Sequence, residues 1–502
     1  MIHIIQTIGA ANGRLAAPAK RCLKALLVLG LLFAAAELAH AQSDPAKAGS
    51  QPTVRIHGSP AISDRLMRDL ASAFLRSGAG SSEDQNIRIG VSTTAEGDFV
   101  LGAKDQSTGA LPTIRIRGNG ANQALDDLST GDADIVVAYR PVTDSEHAAF
   151  KANASVDMRS RSAEYVIGLD GIEILANKAN KLPTISRETL RGIYSKKLNN
   201  WGEAGLVNAK LDGPIRAIGP GAGSNATELL RTLVMEGKPP LYQNSLDWGG
   251  GLPKLVSADP NSIGFVGMRL RGDNRSLDIE ECGVTYPFDP FAIKAQDHPL
   301  AVPLYLYVNS ATKNPARDAF LKFVMSKAGQ DIVGRDFVNL EVVLGDDDST
   351  ARRVQTVSQQ KPTLSDRHDL FRNGIGNARR LSTTFRFRFD SAKLELDSRG
   401  ERDLEELVQT VRDSDIAAGR LVLFGFADAL GPEGYNVKLA GRRAGSVAAK
   451  LRSLGLKIAD DQVVAIGEDV PVGCNTLPNG DDDERGRARN RRVEVWVRNQ
   501  AQ

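Results

Sequence analysis

Asp428 and Arg443 are oppositely charged residues in two adjoining predicted elements, a turn and the helix that follows it. Asp428 lies in the turn GFADALG, and Arg443 follows 15 residues later in LAGRRA, inside a predicted helix. A carboxylate pairs with an ammonium group, and a guanidinium pairs with a carboxylate through two parallel hydrogen bonds. A tight turn followed by the start of a helix could fold the two groups together. Each residue also has a plain structural interpretation, as a turn-capping aspartate and a solvated helix arginine.

Metal and enzyme motifs are missing from the sequence. The chain has three cysteines without a C-x-x-C pair, which argues against structural zinc and thiol redox chemistry. Its histidines are scattered, and there is no H-E-x-x-H, P-loop or G-x-S-x-G motif. We therefore predict no catalytic residue, no metal and no cofactor, and we expect a protein that is not an enzyme.

The first 41 residues have the pattern of a cleavable signal peptide. Arg14, Lys20, Arg21 and Lys24 precede a short apolar run, and Ala39-His40-Ala41 fits a cleavage site. The apolar run is too short for a spanning helix. Residues 42–53 are small and polar and predict a flexible leader. The formal net charge of +2 becomes close to neutral once the basic signal is removed, so nucleic acid is not expected as a partner.

Export bears on two of the cysteines, because an oxidising compartment permits disulfides. Removal of the signal peptide would leave Cys282 and Cys474, both in loop-like contexts next to glycine. They fall in different predicted domains, so a disulfide would join the two. Two unpaired thiols are an equally good interpretation.

The length of 502 residues predicts two or three domains, and the pattern of elements divides the chain accordingly. Residues 54–345 alternate short apolar strands with amphipathic helices, which indicates an α/β fold with parallel strands. Residues 346–380 are polar and predict a linker or loosely packed connector. Residues 381–502 start with the alternating strand TTFRFRFD, in which Phe385, Phe387 and Phe389 would share one face. Two helices and further strands follow, so we expect a small α+β sandwich.

The C-terminal segment resembles the OmpA-like peptidoglycan-binding domain. The resemblance rests on FRFDSAKLELDSRG, on GFADALGPEGYNVKLAGRRAGSVAAKL and on RGRARNRRVEVWV, in that order. It implies that Asp428 and Arg443 hold the ammonium and carboxylate of diaminopimelate in the peptidoglycan stem peptide. It also implies roles in peptidoglycan binding for Asn436, Asn490 and Arg491. The serine of the family's L-S-x-x-R motif is Ala440 in this chain.

Residues 54 to about 344 resemble the periplasmic phosphate-binding proteins of ABC importers. The resemblance is best in GIEILAN, LRGIYSKKLNNW, ADIVVAYRPV, NSIGFVGM and FLKFVMSKAGQDIV. It implies a two-lobed periplasmic binding protein fold in which helix N-termini and small-residue turns surround an oxyanion. The candidate ligand-binding residues that it implies are Ser59, Ser63, Asn122, Arg140, Ser224, Asn225 and Thr227.

Several of the family's phosphate ligands are replaced in this chain. Ala61 stands where a threonine is expected, and Tyr139 stands where an acidic or hydroxyl residue is expected. The arginine expected shortly before the third loop is absent. Burial of phosphate without a cationic or multi-hydroxyl cage carries a large desolvation cost. Backbone amides could still hold a weaker anion or a neutral polar ligand, whereas the serines could simply cap helices.

Together the two resemblances predict a periplasmic solute-binding protein that is anchored non-covalently to peptidoglycan. The expected location is the periplasm of a Gram-negative bacterium, in association with the cell wall and outer membrane. The expected partners are peptidoglycan, a small anion such as phosphate, and an ABC importer. The alternative is a wall-tethered structural or interaction protein whose binding-protein domain has lost phosphate binding.

Overall fold

The computed structural model describes most of the chain after the predicted leader. The described residues are 53–77, 89–103, 113–203, 206, 210–221, 224–244, 251–268, 271–360, 365–396, 398–414, 416–477 and 480–499. The predicted signal peptide, and the predicted leader apart from residue 53, therefore lie outside them. Within these ranges, no helix combines the length and apolarity needed to cross a bilayer.

The first part of the described chain is an α/β structure built on one continuous sheet. Its strands are β1 Val54–Gly58, β2 Ile89–Thr93, β3 Phe99–Ala103, β4 Ile114–Arg117, β5 Ile135–Ala138, β6 Glu164–Ala176, β7 Thr184–Ile185, β8 Arg216–Gly219, β9 Gln243–Asn244, β10 Ser262–Gly267, β11 Arg275–Glu281, β12 Val284–Tyr286 and β13 Ala301–Tyr307. Its helices are α1 Arg68–Ser77, α2 Ala121–Thr130, α3 Asp144–Ala154, α4 Arg187–Tyr194, α5 Asn225–Leu233, α6 Gly251–Ala258, α7 Pro290–Lys294, α8 Pro315–Met325 and α9 Lys327–Asp336. A helical turn at Pro60–Ile62 and a π-helical segment at Ser63–Met67 precede α1.

The long strand β6 joins the two lobes of this α/β structure. The sheet runs in the order β2-β3-β4-β1-β5-β13-β6-β10-β8-β9, and β11 also pairs with β6. The first half of β6 pairs with β13, up to Gly171, and the second half pairs with β10 from Ile172 onward. Strands β1, β4 and β5 are parallel in the first lobe, and β8 and β10 are parallel in the second. The α/β two-lobed fold expected for the first part is the fold observed.

The C-terminal part forms a separate sheet in the order β14-β17-β15-β16, with β14 Ala378–Arg386, β15 Leu421–Phe426, β16 Val463–Gly467 and β17 Arg492–Arg498. Its helices are α12 Ser398–Asp413, α13 Glu433–Ser453 and α14 Glu484–Asn490. Phe385 and Phe387 are buried, as their alternation predicted, but β14 ends at Arg386 and Phe389 is 57% exposed. The predicted α+β sandwich is present, while Phe389 is not one of its core residues.

The polar segment expected to be a linker is structured. It contains the helices α10 Asp347–Gln359 and α11 Ser365–Ile375, and β14 already begins at Ala378. Asp346 caps α10 by accepting a hydrogen bond from Ser349 N at 2.7 Å. Three widely spaced apolar side chains, Val357, Phe371 and Ile375, are fully buried against the C-terminal sheet. The segment has few apolar residues, so the sequence predicted a loose connector. Composition does not show that these three side chains pack together against one sheet.

Buried charges join the binding-protein part to the C-terminal part. Arg380 forms an ion pair with Asp297 of the first part, and its Nε lies 3.5 Å from Glu494 Oε2. Glu494 also accepts hydrogen bonds from Arg492 at 2.8 Å and from Arg353 of α10 at 3.2 Å. Burial alone would raise the pKa of Asp297 and Glu494, but the guanidinium groups outweigh it and hold both pKa values below their ordinary range. Both carboxylates are therefore ionised and paired at neutral pH.

A disulfide makes a second connection between the two parts. Cys282, in the turn between β11 and β12, is bonded to Cys474, with the two Cα atoms 5.6 Å apart. The bond closes a loop across 192 residues of sequence, so it constrains the unfolded chain strongly. Of the two interpretations that the sequence left open, the structure has the paired one.

We predict that Arg380→Met lowers the free energy of unfolding by about 3–5 kcal/mol, because it strands buried carboxylates without their cation. Arg379→Met is the matched control, since Arg379 is the neighbouring arginine of β14 and its side chain is 37% exposed. It should cost less than about 1 kcal/mol. Urea unfolding of the oxidised protein measures both. Equal losses for the two variants would mean that the buried cluster does not hold the parts together.

We predict that a proteolytic digest prepared without reductant contains the peptides of Cys282 and Cys474 joined to each other. Reduction should separate them. If iodoacetamide labels both cysteines of the unreduced protein after it is unfolded in urea, the disulfide does not form.

Candidate functional site

Arg443 lies in the C-terminal part with its guanidinium fixed by the backbone. It is carried by α13 and is 1% exposed. It donates hydrogen bonds to three carbonyl oxygens, those of Ser391 at 2.9 Å, Phe426 at 3.1 Å and Arg388 at 3.2 Å. Burial lowers the pKa of Arg443 to about 10, so the group remains charged at neutral pH. Three of the five N–H groups of the guanidinium are used in these contacts, and two remain.

Asp428 follows β15 and is held by a different arginine. Its Oδ2 accepts a hydrogen bond from Arg491 Nη1 at 2.9 Å, and Arg487 Nη1 lies 3.7 Å away. Its Oδ1 accepts a long hydrogen bond from Leu430 N at 3.4 Å. No ion pair within 4.0 Å joins Asp428 to Arg443 in the described part of the chain, although each lies in the electrostatic field of the other. The two charges predicted as a clamp are therefore neighbours that do not neutralise each other.

The other predicted peptidoglycan-binding residues lie on α13, which carries Asn436, and at the end of α14, where Asn490 and Arg491 are adjacent. Asn436, on α13, donates a hydrogen bond to Glu468, whose pKa is raised chiefly by burial. Asn490 is buried and bonds the loop before α14, accepting from Val472 N at 2.7 Å and donating to Gly473 O at 2.9 Å. Asn490 thus holds the loop at Val472 and Gly473, while Arg491 holds Asp428 directly. Sequence reasoning missed Glu468, because nothing in its local motif places it beside α13.

Exposed apolar side chains surround Asp428 and Arg443. Phe389 is 57% exposed, Leu430 is 45% exposed and Tyr435 is 41% exposed. Leu430 follows Asp428 by two residues, and Tyr435 donates a hydrogen bond to Asp390 at 2.5 Å, next to Phe389. Each of the three is exposed and belongs to, or contacts, a segment next to Asp428 or Arg443, and together they are called the apolar rim. The alternation in the sequence continues through Phe389, so its exposure follows only from the end of β14 at Arg386 in the structure.

The predicted solute site lies where the strands of the two lobes end. The turns after β1 and β4 meet, since Gly120 N donates to Gly58 O at 2.8 Å. Gly58 has φ +150°, and a Cβ on it would lie 2.2 Å from Val137 O, so only glycine fits there. The helical turn Pro60–Ile62 of the first lobe contacts α5 of the second lobe. The two lobes are therefore closed on each other at this edge.

The hydroxyl residues predicted as ligands make mostly internal contacts. Ser224 caps α5 by accepting from Thr227 N at 3.1 Å, and Thr227 Oγ1 lies 3.0 Å from Tyr242 Oη. Ser59 is buried and its side chain makes no cap hydrogen bond. The buried Ser63 Oγ has no hydrogen-bond partner in the described part of the chain. Asn225 begins α5 and is half-buried.

Arg140, the cation predicted for the solute site, is already neutralised. Its two Nη atoms donate to the two carboxylate oxygens of Glu146 at 2.6 and 2.8 Å. Nη2 also donates to Asn122 Oδ1 at 2.6 Å. Hydrogen bonds from Arg140 lower the pKa of Glu146 to about 2, so this pair is ionised across the physiological range. A bound anion would have to compete with an intramolecular carboxylate.

A buried acidic group stands near the same edge. Tyr139 Oη donates to Asp170 Oδ2 at 3.3 Å, and Gly171 N donates to Asp170 Oδ1 at 2.8 Å. Burial raises the pKa of Asp170 to about 7. The pKa of Tyr139 is raised by burial, by Asp170 and also by Glu228 of α5, which places a second-lobe carboxylate near this first-lobe tyrosine. Two carboxyl groups, Asp170 and Glu228, therefore act on Tyr139 at this edge, and in their ionised forms they disfavour a nearby phosphate dianion. Across the described ranges, no group of three or more acidic, histidine or cysteine residues could hold a metal ion.

Comparison with known proteins divides the chain in the same way as its two sheets. Outer membrane protein A of Bordetella avium is 36% identical over 109 residues, which are 22% of this chain and 52% of that protein. The chain thus spans about half the length of that relative. Phosphate-binding protein PstS of Pseudomonas aeruginosa is 23% identical over 239 residues, which are 44% of this chain and 72% of that protein. The crystal structure of an ABC-type phosphate transport receptor from Vibrio cholerae aligns with a TM-score of 0.42 at 18% identity, covering 57% of this chain and 99% of that one.

Family models give the assignment. Residues 76–328 match the model of the PBP superfamily domain, and residues 386–489 match the model of the OmpA family. Neither model describes an enzyme family. The first match covers half of the chain. The two matches together confirm both resemblances predicted from the sequence. The chain therefore belongs to the PBP superfamily and carries a C-terminal OmpA-family domain.

Proposed function

We propose that this protein is a cell-envelope binding protein that holds itself on peptidoglycan non-covalently through its OmpA-family domain. The observation that carries the proposal is the pair Asp428 and Arg443, two buried charges that retain free hydrogen-bonding capacity within an apolar rim. The proposed location is the periplasm of a Gram-negative cell, at the wall and outer membrane. Two relatives support that location by their names, Outer membrane protein A and a Peptidoglycan-associated lipoprotein.

The proposed ligand is the diaminopimelate of a stem peptide, which carries an ammonium and a carboxylate on one carbon. The two unused N–H groups of Arg443 suit a carboxylate, and the remaining lone pairs of Asp428 suit an ammonium. Because the three carbonyl contacts already orient Arg443, little side-chain entropy is lost on binding. The rim of Phe389, Leu430 and Tyr435 would cover the aliphatic part of the ligand.

We predict that Asp428→Asn and Arg443→Met each abolish co-sedimentation of the protein with purified peptidoglycan. Removing one partner of a buried charge pair in an interface costs about 2–5 kcal/mol of binding free energy, which is enough to lose the pellet fraction. Lys450→Ala is the matched control, because Lys450 is an exposed cation on the same helix. It should pellet like the unchanged protein. Near-UV circular dichroism checks that the variants are folded; folded variants that still pellet would refute the assigned clamp.

Chemical specificity gives a second test of the same site. We expect binding to peptidoglycan that contains diaminopimelate and about tenfold weaker binding to peptidoglycan with lysine at that position, because lysine lacks the second carboxylate that Arg443 would bind. Equal binding to both walls would show that Arg443 does not read this carboxylate.

For the two-lobed part we infer a solute-binding role in which phosphate is a poor ligand. The supporting observation is the Arg140–Glu146 pair, together with the acidic neighbours of Tyr139. The alternative, a docking unit without a solute, is supported by the contact between the Pro60–Ile62 turn and α5. Calorimetry against phosphate, sulfate and a panel of neutral metabolites separates the two, since a docking unit would bind none of them.

We predict that Glu146→Gln tightens phosphate binding about tenfold, because glutamine keeps an acceptor oxygen for Thr143 N but releases the charge of Arg140. Asp144→Asn is the matched control; Asp144 lies in the same helical turn, is 94% exposed and pairs with Arg159. It should leave phosphate binding unchanged. Isothermal titration calorimetry measures both. If the unchanged protein binds phosphate tightly and Glu146→Gln binds it no more tightly, the pairing of Arg140 with Glu146 does not limit the affinity for phosphate.

A further inference from the structure

A second pocket lies at the junction between the binding-protein part and the connector helices. It has a volume of about 460 Å³ and lies between α7, α9 and the start of α10. We call it the junction pocket; its walls are formed mainly by Met268, Phe291, Lys294, Phe337, Val338 and Leu344. Its size is that of small-molecule sites, and its lining combines the apolar side chains with the polar residues Asp289, Lys294, Asn339, Asp346 and Ser349. These residues are different from those of the cleft between the lobes and from those around Asp428 and Arg443.

Lys294 is the feature of this pocket that requires explanation. It is the last residue of α7 and is 8% exposed. Its ammonium donates to Asn339 Oδ1 at 2.9 Å and to Glu341 O at 2.7 Å, both of which are neutral oxygens. No carboxylate of the described residues lies within 4.0 Å of Lys294 Nζ. Burial lowers the pKa of Lys294 to about 8, so most molecules still carry the charge at neutral pH. One N–H of the ammonium is unused.

The other charges around the junction pocket are already engaged. Asp289 pairs with Arg352 at 2.8 Å, and Asp346 accepts from Ser349 N at the start of α10. Arg399 of the C-terminal part donates to Lys294 O at 2.5 Å, which adds positive potential beside the lysine. The carboxylates of Glu341, Glu406 and Asp403 favour the charged form of Lys294 through space, and a ligand carboxylate in direct contact would stabilise it further. Water would occupy the free N–H but would supply no negative charge.

We propose that the junction pocket binds a small organic carboxylate whose apolar body lies along its aromatic and aliphatic wall. The carboxylate pairs with Lys294, next to Asn339, which also lines the pocket. Phe291, Phe337 and Leu344 contact the apolar body. This site is independent of the proposed peptidoglycan and solute sites. Because it lies against α10 and near Arg399, its ligand would contact the region where the two parts of the protein meet.

The first test separates the charge of the ligand from its apolar body. Hexanoate, acetate and hexanol are titrated into the full chain by calorimetry, and chemical-shift changes identify the site. We expect hexanoate to bind at least about tenfold more tightly than either acetate or hexanol, because only hexanoate offers both contacts. Lys294→Met preserves the length of the side chain and should weaken hexanoate at least about tenfold. The proposal is overturned if hexanoate at millimolar concentration does not bind the unchanged protein. It is also overturned if hexanoate binds Lys294→Met as tightly as the unchanged protein.

A second pair of variants leaves the buried lysine in place. Val343 lines the pocket and is 36% exposed, so it tolerates a polar replacement without loss of the core. Val343→Asp puts a negative charge at the rim and should weaken hexanoate about threefold to fivefold, whereas the isosteric Val343→Asn should change it less than about twofold. The same affinity in both variants would show that the ligand's charge does not lie in this pocket. Hexanol serves as the internal control, since its binding should not distinguish Asp from Asn.

Discussion

The fully buried carboxylate of Glu494 is the group on which the arrangement of the whole molecule depends. It lies in the central part of the C-terminal sheet and is surrounded by Arg380, Arg492 and Arg353. Arg380 reaches in turn to Asp297 of the binding-protein part. Such a cluster is stable only when complete, because removing one member leaves a buried charge unpaired. The first part, the connector and the OmpA-family domain each supply at least one member, so none can move away without breaking it. The Cys282–Cys474 disulfide adds a covalent link at the same junction.

The same reasoning distinguishes the three candidate binding sites. In the cleft between the lobes, Arg140 is paired internally with Glu146, so the charge of this arginine is not available to an anion. Around Asp428, the charges are positioned by backbone and by Arg491, but they keep hydrogen-bonding capacity toward the pocket. In the junction pocket, Lys294 has only neutral partners. A site is best prepared for a charged ligand where a fixed charge lacks an internal counter-charge, and by that criterion the phosphate-type cleft is the weakest of the three.

Fold and site differed in how far they could be predicted. The α/β alternation, the Gly-rich turns after β1 and β4, and the motifs around Asp428 and Arg443 are local patterns, and the corresponding elements formed. The connector was mispredicted as loose because burial of Val357, Phe371 and Ile375 depends mainly on β15, β16 and β17, which begin at Leu421 or later, more than 40 positions after Ile375. Phe389 was placed in the core because alternation alone does not show that the strand stops at Arg386. Glu468 was missed for the same reason, since only the fold brings it to Asn436.

By itself, the sequence determined the two families and the alternation of strands and helices outside the connector, because these follow from hydrophobic period, turn residues and motifs that are read within short windows. It also supplied the charged residues from which the sites are built. Only the tertiary structure decided how those charges are partnered: it paired Arg140 with Glu146, paired Asp428 with Arg491, and bonded Lys294 to neutral oxygens. The physical reason is that a charge is satisfied or available according to its neighbours in space, and those neighbours come from distant positions in the chain.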